Sequence, residues 1–243
     1  MILHGGRTHY GQAIGVLTLD THFPRIPGDV GNATSYPFPV IFKKVTGATV
    51  NRVVTQGDPT LLPLFIDAAK ELEREGVRAI TTSCGFLILF QDELANAVTV
   101  PVFTSSLLMV PLVYRLLGSQ QQLGLLTADA SALTPRHLQA AGIDSIPLAI
   151  AGLQDQPEFA HAILDNNTTI DPTKVTQEMI HVAQELITTH PTIGALVLEC
   201  ANMPPYTHAL HTATGLPVFD LNHFITFIYH VVVVKERFSE GFL

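Results

Sequence analysis

The chain has 243 residues, 47% of them hydrophobic and 14% charged, with a formal net charge of −8. That length supports a sizeable core in one large or two small domains, and the composition excludes a disordered chain or a charged helical array. The acidic balance argues against nucleic acid as a general partner, because phosphate binding needs a basic face. A small anionic substrate stays open, since it needs only a local patch of donors.

The N-terminal MILHGGRTHYGQ lacks the long apolar core of a signal peptide. The most apolar stretch, Phe224 to Val234, is interrupted by His230 and is too short to span a bilayer. The expectation is a soluble cytoplasmic protein with no membrane partner. In chain order, short apolar runs predict strands over Gly15–Leu19, Val77–Thr82, Val100–Phe103, Leu123–Thr127, Ala195–Leu198 and Leu216–Phe219. Leu61–Glu75 reads as an amphipathic helix stopped by Gly76, with Leu61, Leu62, Phe65, Ala68, Ala69 and Leu72 at three-to-four spacing. Thr173–Thr189 reads the same way, with Val175, Met179, Val182, Ala183 and Leu186 on one face. Further helices are expected over Gly85–Leu94, Met203–Thr214 and Leu221–Phe238. Strands alternating with helices imply α/β architecture with parallel sheets.

The chain also repeats itself. Ile14-Gly-Val-Leu-Thr-Leu-Asp-Thr21 echoes Leu123-Gly-Leu-Leu-Thr-Ala-Asp-Ala130, Ala79-Ile-Thr-Thr-Ser-Cys84 echoes Ala195-Leu-Val-Leu-Glu-Cys200, and Val100-Pro-Val-Phe103 echoes Leu216-Pro-Val-Phe219. The offset is 109 for the first match (14 to 123) and 116 for the other two (84 to 200, 100 to 216). Near-constant spacing across three matched strands reads as an internal duplication. The expected fold is two pseudo-symmetric α/β halves, each with a parallel four-stranded-type sheet flanked by helices, and an active site in the cleft between them. Residues 1–115 with 220–243 would form the first half, the last helix returning to it, and residues 116–219 the second.

The two cysteines, Cys84 and Cys200, fall just past the C-terminal ends of matched strands, the edge where parallel sheets bind ligands. Two are poor material for a disulfide framework. Packed face to face, the halves would place the thiols on opposite walls of one cleft. Opposed thiols can invert a carbon acid without a cofactor: one takes the α-proton as thiolate, and the other returns a proton to the opposite face. A thiolate near neutral pH requires a pKa below the usual value of about 8.5, and a helix N-terminus after each cysteine is expected to provide that. The same N–H groups would hold a carboxylate or an enolate. The plain alternative is that both cysteines fill the core.

Two α/β halves, each with one cysteine after a strand, resemble the aspartate/glutamate/hydantoin racemase superfamily over nearly the whole chain. The resemblance implies an isomerase that uses no pyridoxal or other cofactor, with Cys84 and Cys200 as acid and base, a small-molecule carboxylate substrate, and a homo-oligomer. Glutamate and aspartate racemases follow the first cysteine with Asn and Thr, where this chain has Gly85 and Phe86. They follow the second with Thr and often His, where this chain has Ala201 and Asn202. The Cys-Ala pair is closer to the hydantoin racemase branch, and Phe86 implies a less polar pocket. Asp20-Thr21 resembles the Asp-Ser pair that helps hold substrate in glutamate racemases. The related decarboxylases keep one cysteine, so two count against that chemistry. The maleate isomerase branch keeps two, with one as nucleophile.

Other residues are weighed on their own chemistry. The Pro-, Gly- and Asn-rich segment 21–34 follows the first strand and reads as a lid, from which Arg25 would clamp a carboxylate. Ser83 precedes the first cysteine. Glu199 precedes the second, but alternation along a strand turns it away, so a salt bridge or helix cap is the expected role. Thr127 matches Thr18 in the repeat, and either hydroxyl would reach the cleft mouth. Eleven histidines invite a metal, yet the chain has no HExxH and no CxxC, and His208 with His211 lacks a third ligand. No GxGxxG or P-loop calls for a nucleotide. A racemase or epimerase is the leading expectation. A lyase or cis–trans isomerase with one nucleophilic thiol, or an idle small-molecule binder, remains open.

Overall fold

The computed structural model describes residues 5–234. Its eight strands form two parallel sheets. In the first, β1 (Ile14–Thr18), β2 (Val40–Lys44), β3 (Ala79–Thr82) and β4 (Val102–Phe103) lie in the order β2-β1-β3-β4. In the second, β5 (Gln122–Thr127), β6 (Leu148–Gly152), β7 (Ile193–Leu198) and β8 (Val218–Phe219) repeat it as β6-β5-β7-β8. Ile14 pairs with Ala79 in one sheet and Leu123 with Ala195 in the other, so the matched sequence segments occupy matched central strands.

Those central strands are buried almost throughout, which is why they read as continuous apolar runs. β2 and β6 escape the sequence reading because they are half-buried edge strands. Lys43 and Lys44 in one, and the small Ala149, Ala151 and Gly152 in the other, dilute the apolar signal. Both lysines reach solvent and pair there, Lys43 with Glu71 and Lys44 with Asp20.

Helix α1 (Leu62–Glu75) buries Phe65, Ala68, Ala69 and Leu72, and stops where Gly76 turns left-handed at φ 90°. It sits down on the sheet because Gly15 of β1 has no side chain. A β-carbon there would come within 2.9 Å of Leu72 Cδ1. The short helices α2 (Gln91–Ala97), α3 (Val110–Leu116), α4 (Pro135–Ala140) and α5 (Pro157–Phe159) precede α6 (Pro172–Thr189), α7 (Thr207–Thr214) and α8 (Leu221–Val232). One helix was expected after each cysteine. Instead the chain first winds a tight 3-10 turn, Gly85–Phe90 or Pro204–Tyr206, before α2 or α7 begins.

Helix α8 returns to the first sheet, burying Leu221 and Ile225 beside Ile14 and Val16 and stacking Tyr229 on Phe38 at 3.7 Å. Phe227 and Val231 on the same helix stay exposed. Residues 235–238 of the predicted helix lie outside the described residues. One continuous core joins the sheets through Leu17, Ile80, Leu125 and Val197. The Ser106 hydroxyl ties them further by donating to the Leu198 carbonyl at 2.6 Å. Among the described residues no helix is long and apolar enough to cross a membrane.

Leu72 is fully buried between α1 and β1, so Leu72→Ala should cost about 2–5 kcal/mol in urea denaturation. A cost below about 1 kcal/mol would show that α1 is not seated on the sheet.

Candidate active site

Strands β3 and β7 deliver the two cysteines to one cleft. The Cys84 N–H donates to the Thr82 hydroxyl at 3.3 Å, and the residue opens the 3-10 turn in an extended conformation. The Cys200 thiol donates to Asn202 Oδ1 at 3.5 Å. Both are free and buried. The first half adds Leu19, Ser83, Gly85 and Phe86 to the lining, and the second adds Ala128, Ile163, Leu164, Glu199 and Asn202. The closed cleft has a volume of about 20 Å³, room for one water. A wider depression of about 730 Å³ beside His181, Glu185 and His190 is an open surface groove holding neither cysteine.

The 21–34 segment roofs this cleft with Phe23 and Arg25. Arg25 lies 4.5 Å over the Phe23 ring and donates to Asp29 at 2.9 Å and to the Thr21 hydroxyl at 3.0 Å. The other oxygen of buried Asp29 accepts from Asn202 Nδ2 at 2.7 Å. A polar chain therefore runs Arg25–Asp29–Asn202–Cys200, from the roof into the second half. The roof is also stitched down by the Val30 N–H to the Ala201 carbonyl at 3.2 Å. Gly28, at φ 98°, lies against Pro205 where a β-carbon would come within 2.9 Å of the proline Cα.

Glu199 corrects the sequence reading. Among the described residues it forms no salt bridge and caps no helix; it is fully buried in the cleft lining. β7 ends at Leu198, so strand alternation no longer governs Glu199 and Cys200. Its Oε2 accepts from the Thr127 hydroxyl at 2.8 Å, while among the described residues Oε1 has no hydrogen-bond partner. A β-carbon on Gly85 would collide with its carboxylate and carbonyl oxygens. Gly85 is thus required by packing, and Glu199 lies between the turn after Cys84 and Cys200 itself. Burial pushes its pKa up to about 7.

The thiols also depart from expectation. Burial, and secondly the nearby Glu199 carboxylate, push Cys84 up to about 12. The N–H groups of Phe86 and Leu87 and the charge of Arg25 pull the other way and lose. Cys200 is raised well above its ordinary value by the same two causes. The N-terminal turn does face Cys84, but desolvation outweighs it in the closed cleft.

Of the residues singled out in sequence, the cleft gathers Cys84, Cys200, Ser83, Gly85, Phe86, Asn202 and Arg25. Four lie elsewhere. Asp20 pairs with Lys44 and accepts the Gly47 N–H at 3.1 Å, closing a turn. Thr21 stands behind Arg25, and Thr127 lies beneath Glu199 rather than at the mouth. Ala201 points into the first sheet's core. The sequence reading missed Phe23 and Asp29 altogether. A lone Glu in the apolar run Leu196-Val-Leu-Glu-Cys200 was a usable sign, whereas nothing in sequence marks Asp29. Among the described residues no group of three His, Cys, Asp or Glu could hold a metal.

Residues 40–226 match the family model described as Asp/Glu/Hydantoin racemase. Over 239 residues the chain is 32% identical to a dimethylsulfoniopropionate lyase of Durusdinium sp. clade D, covering 95% of this chain and 75% of that one. It is 34% identical over 218 residues to dimethylsulfoniopropionate lyase 7 of Emiliania huxleyi, covering 86% of this chain but only 63% of that relative. Unliganded arylmalonate decarboxylase matches at 14% identity with a TM-score of 0.60, over 95% of this chain and 96% of the other. That last likeness is one of fold.

An acid whose folded pKa is raised stabilises the fold below its unfolded pKa and loses that contribution as pH rises through the folded value. For Glu199 the window runs from about 4.5 to about 7. Glu199→Gln should therefore gain on the wild type, by on the order of 3 kcal/mol, between pH 5 and pH 8 in urea denaturation. His137, lowered to about 4 by burial, loses stability in the opposite direction but cancels between the two proteins. A difference that does not change with pH would place Glu199 in contact with water.

Proposed function

We propose, from the premise that the chain belongs to the Asp/Glu/hydantoin racemase family, that it is a lyase acting on a small sulfonium carboxylate. The supporting observation is its 32% identity, over 95% of its length, to a dimethylsulfoniopropionate lyase. A racemase and this lyase share their first step, removal of a proton from the carbon next to a carboxylate. They differ in the fate of the electron pair left behind. With a sulfonium on the neighbouring carbon, that pair from the broken C–H bond forms a C=C bond. The C–S pair leaves on sulfur, giving neutral dimethyl sulfide and acrylate.

The cleft suits that sequence. Among the described residues Arg25 is the cationic one in its lining, and it takes the substrate carboxylate once the roof lifts. Phe23, Phe86, Ile163 and Leu164 offer an apolar wall for the two methyl groups, and the ring faces favour the positive sulfur. Cys84 is the base: it faces the N–H groups of Phe86 and Leu87 and the charge of Arg25, all of which favour a thiolate. Cys200 stays protonated, its S–H directed to Asn202. The roof must lift to admit substrate, and its closure over bound substrate excludes water.

A second reading, amino-acid or hydantoin racemisation, is favoured by the presence of both thiols in one cleft. Incubating the reduced, folded protein with dimethylsulfoniopropionate and measuring headspace dimethyl sulfide separates the two. Release of the gas is expected, with Cys84→Ser lowering the rate at least about 100-fold. No release, together with α-deuterium uptake into amino acids or hydantoins in deuterated water, would overturn the lyase reading.

A further inference from the structure

We propose that Glu199 is the internal base that takes the Cys84 thiol proton, so that the two groups carry one shared negative charge through the reaction. This rests on Cys84 being the base of the lyase reading. The geometry sets Glu199 apart from an ordinary buried acid. It directly precedes one cysteine, and its side chain packs against the glycine that directly follows the other. Thr127 fixes one carboxylate oxygen, leaving the second fully buried with no hydrogen-bond partner among the described residues.

The charged and titratable groups around it are few. Cys84 arrives from the end of β3 and Cys200 from the end of β7. Arg25 and Asp29 come from the roof, where they are committed to each other. His137 of α4 stands behind Phe86, its ring 5.0 Å from that phenyl. In the closed cleft Arg25, the cation of this set, pairs with Asp29 rather than with Glu199, and Glu199 appears in none of the ion pairs among the described residues. A proton leaving Cys84 inside the closed cleft therefore has Glu199 as its carboxylate acceptor.

The steps balance. The Cys84 S–H bond breaks and an O–H bond forms on Glu199. The thiolate takes the α-proton as the substrate C–S bond breaks. The enzyme finishes with thiol and carboxylic acid both protonated, one proton richer than at the start, and releases that proton to water after acrylate leaves. The pair is competent once it has lost one proton, whichever member carries the charge. Reactivity should then follow the titration of Glu199 rather than that of the thiol.

The test needs no substrate. Alkylation of Cys84 by iodoacetamide is followed by mass spectrometry from pH 5 to pH 10, in wild type, Glu199→Gln and Glu199→Asp, with a melting curve at each pH. Wild-type Cys84 should gain reactivity with a midpoint near 7. Glu199→Gln should lose that step, its reactivity climbing about tenfold per pH unit without levelling off near 7, and Glu199→Asp should restore a step. The same step in wild type and Glu199→Gln, or a wild-type Cys84 inert up to pH 9, would overturn the proposal. Because iodoacetamide reports the thiol alone, failure of the lyase reading would leave this result standing, and the reverse.

Discussion

A carboxylate moved out of water loses several kcal/mol of hydration unless a cation or several donors replace the water. Glu199 has the Thr127 hydroxyl and the nearby Ala128 N–H, and among the described residues no cation pairs with it. Its neighbours are shaped by that single costly group. Gly85 has to lack a side chain, because the carboxylate occupies the space a β-carbon would fill. Both thiols are held protonated, since a second charge beside an ionised Glu199 is penalised by both burial and repulsion. The roof over it is pinned by the Arg25–Asp29–Asn202 chain, which keeps water out and preserves the low dielectric that perturbs all three groups.

The duplication brings the two cysteines into one cleft, and around them the halves depart from symmetry. Both halves use one strand order and place a cysteine at the same strand end. Yet the residue before the cysteine is Ser83 in one half and Glu199 in the other. The Ser83 hydroxyl merely accepts the Leu19 N–H at 3.3 Å. Cys84 faces an N-terminal turn and an arginine, while Cys200 is fastened to Asn202. Racemisation asks two thiols to exchange roles with equal ease. The proposed lyase reaction, which takes one proton and returns none to carbon, would use the two thiols unequally.

Much of this was legible in sequence because the central strands of a doubly covered parallel sheet leave unbroken apolar runs, and because Gly76 punctuates α1. The repeat then located both cysteines. Legibility failed where burial is partial or contacts are long-range. β2 and β6 are edge strands with mixed composition. Asp29 matters only because Asn202, 173 positions away, folds against it. Asp20 shows the reverse error: it sits at the expected place after β1, but the turn at Gly47 and Lys44 claims it. Glu199 was misplaced because alternation was carried one residue past the end of β7.

The most direct test is the titration of the Glu199 carboxyl itself, followed by the carbon-13 shift of its δ-carbon in protein labelled at glutamate and assigned with Glu199→Gln. A midpoint near 7 is the expected result. A midpoint at the ordinary glutamate value of about 4.3 would show a hydrated carboxylate with no reason to share the charge of the cysteine. It would contradict the shared-charge site.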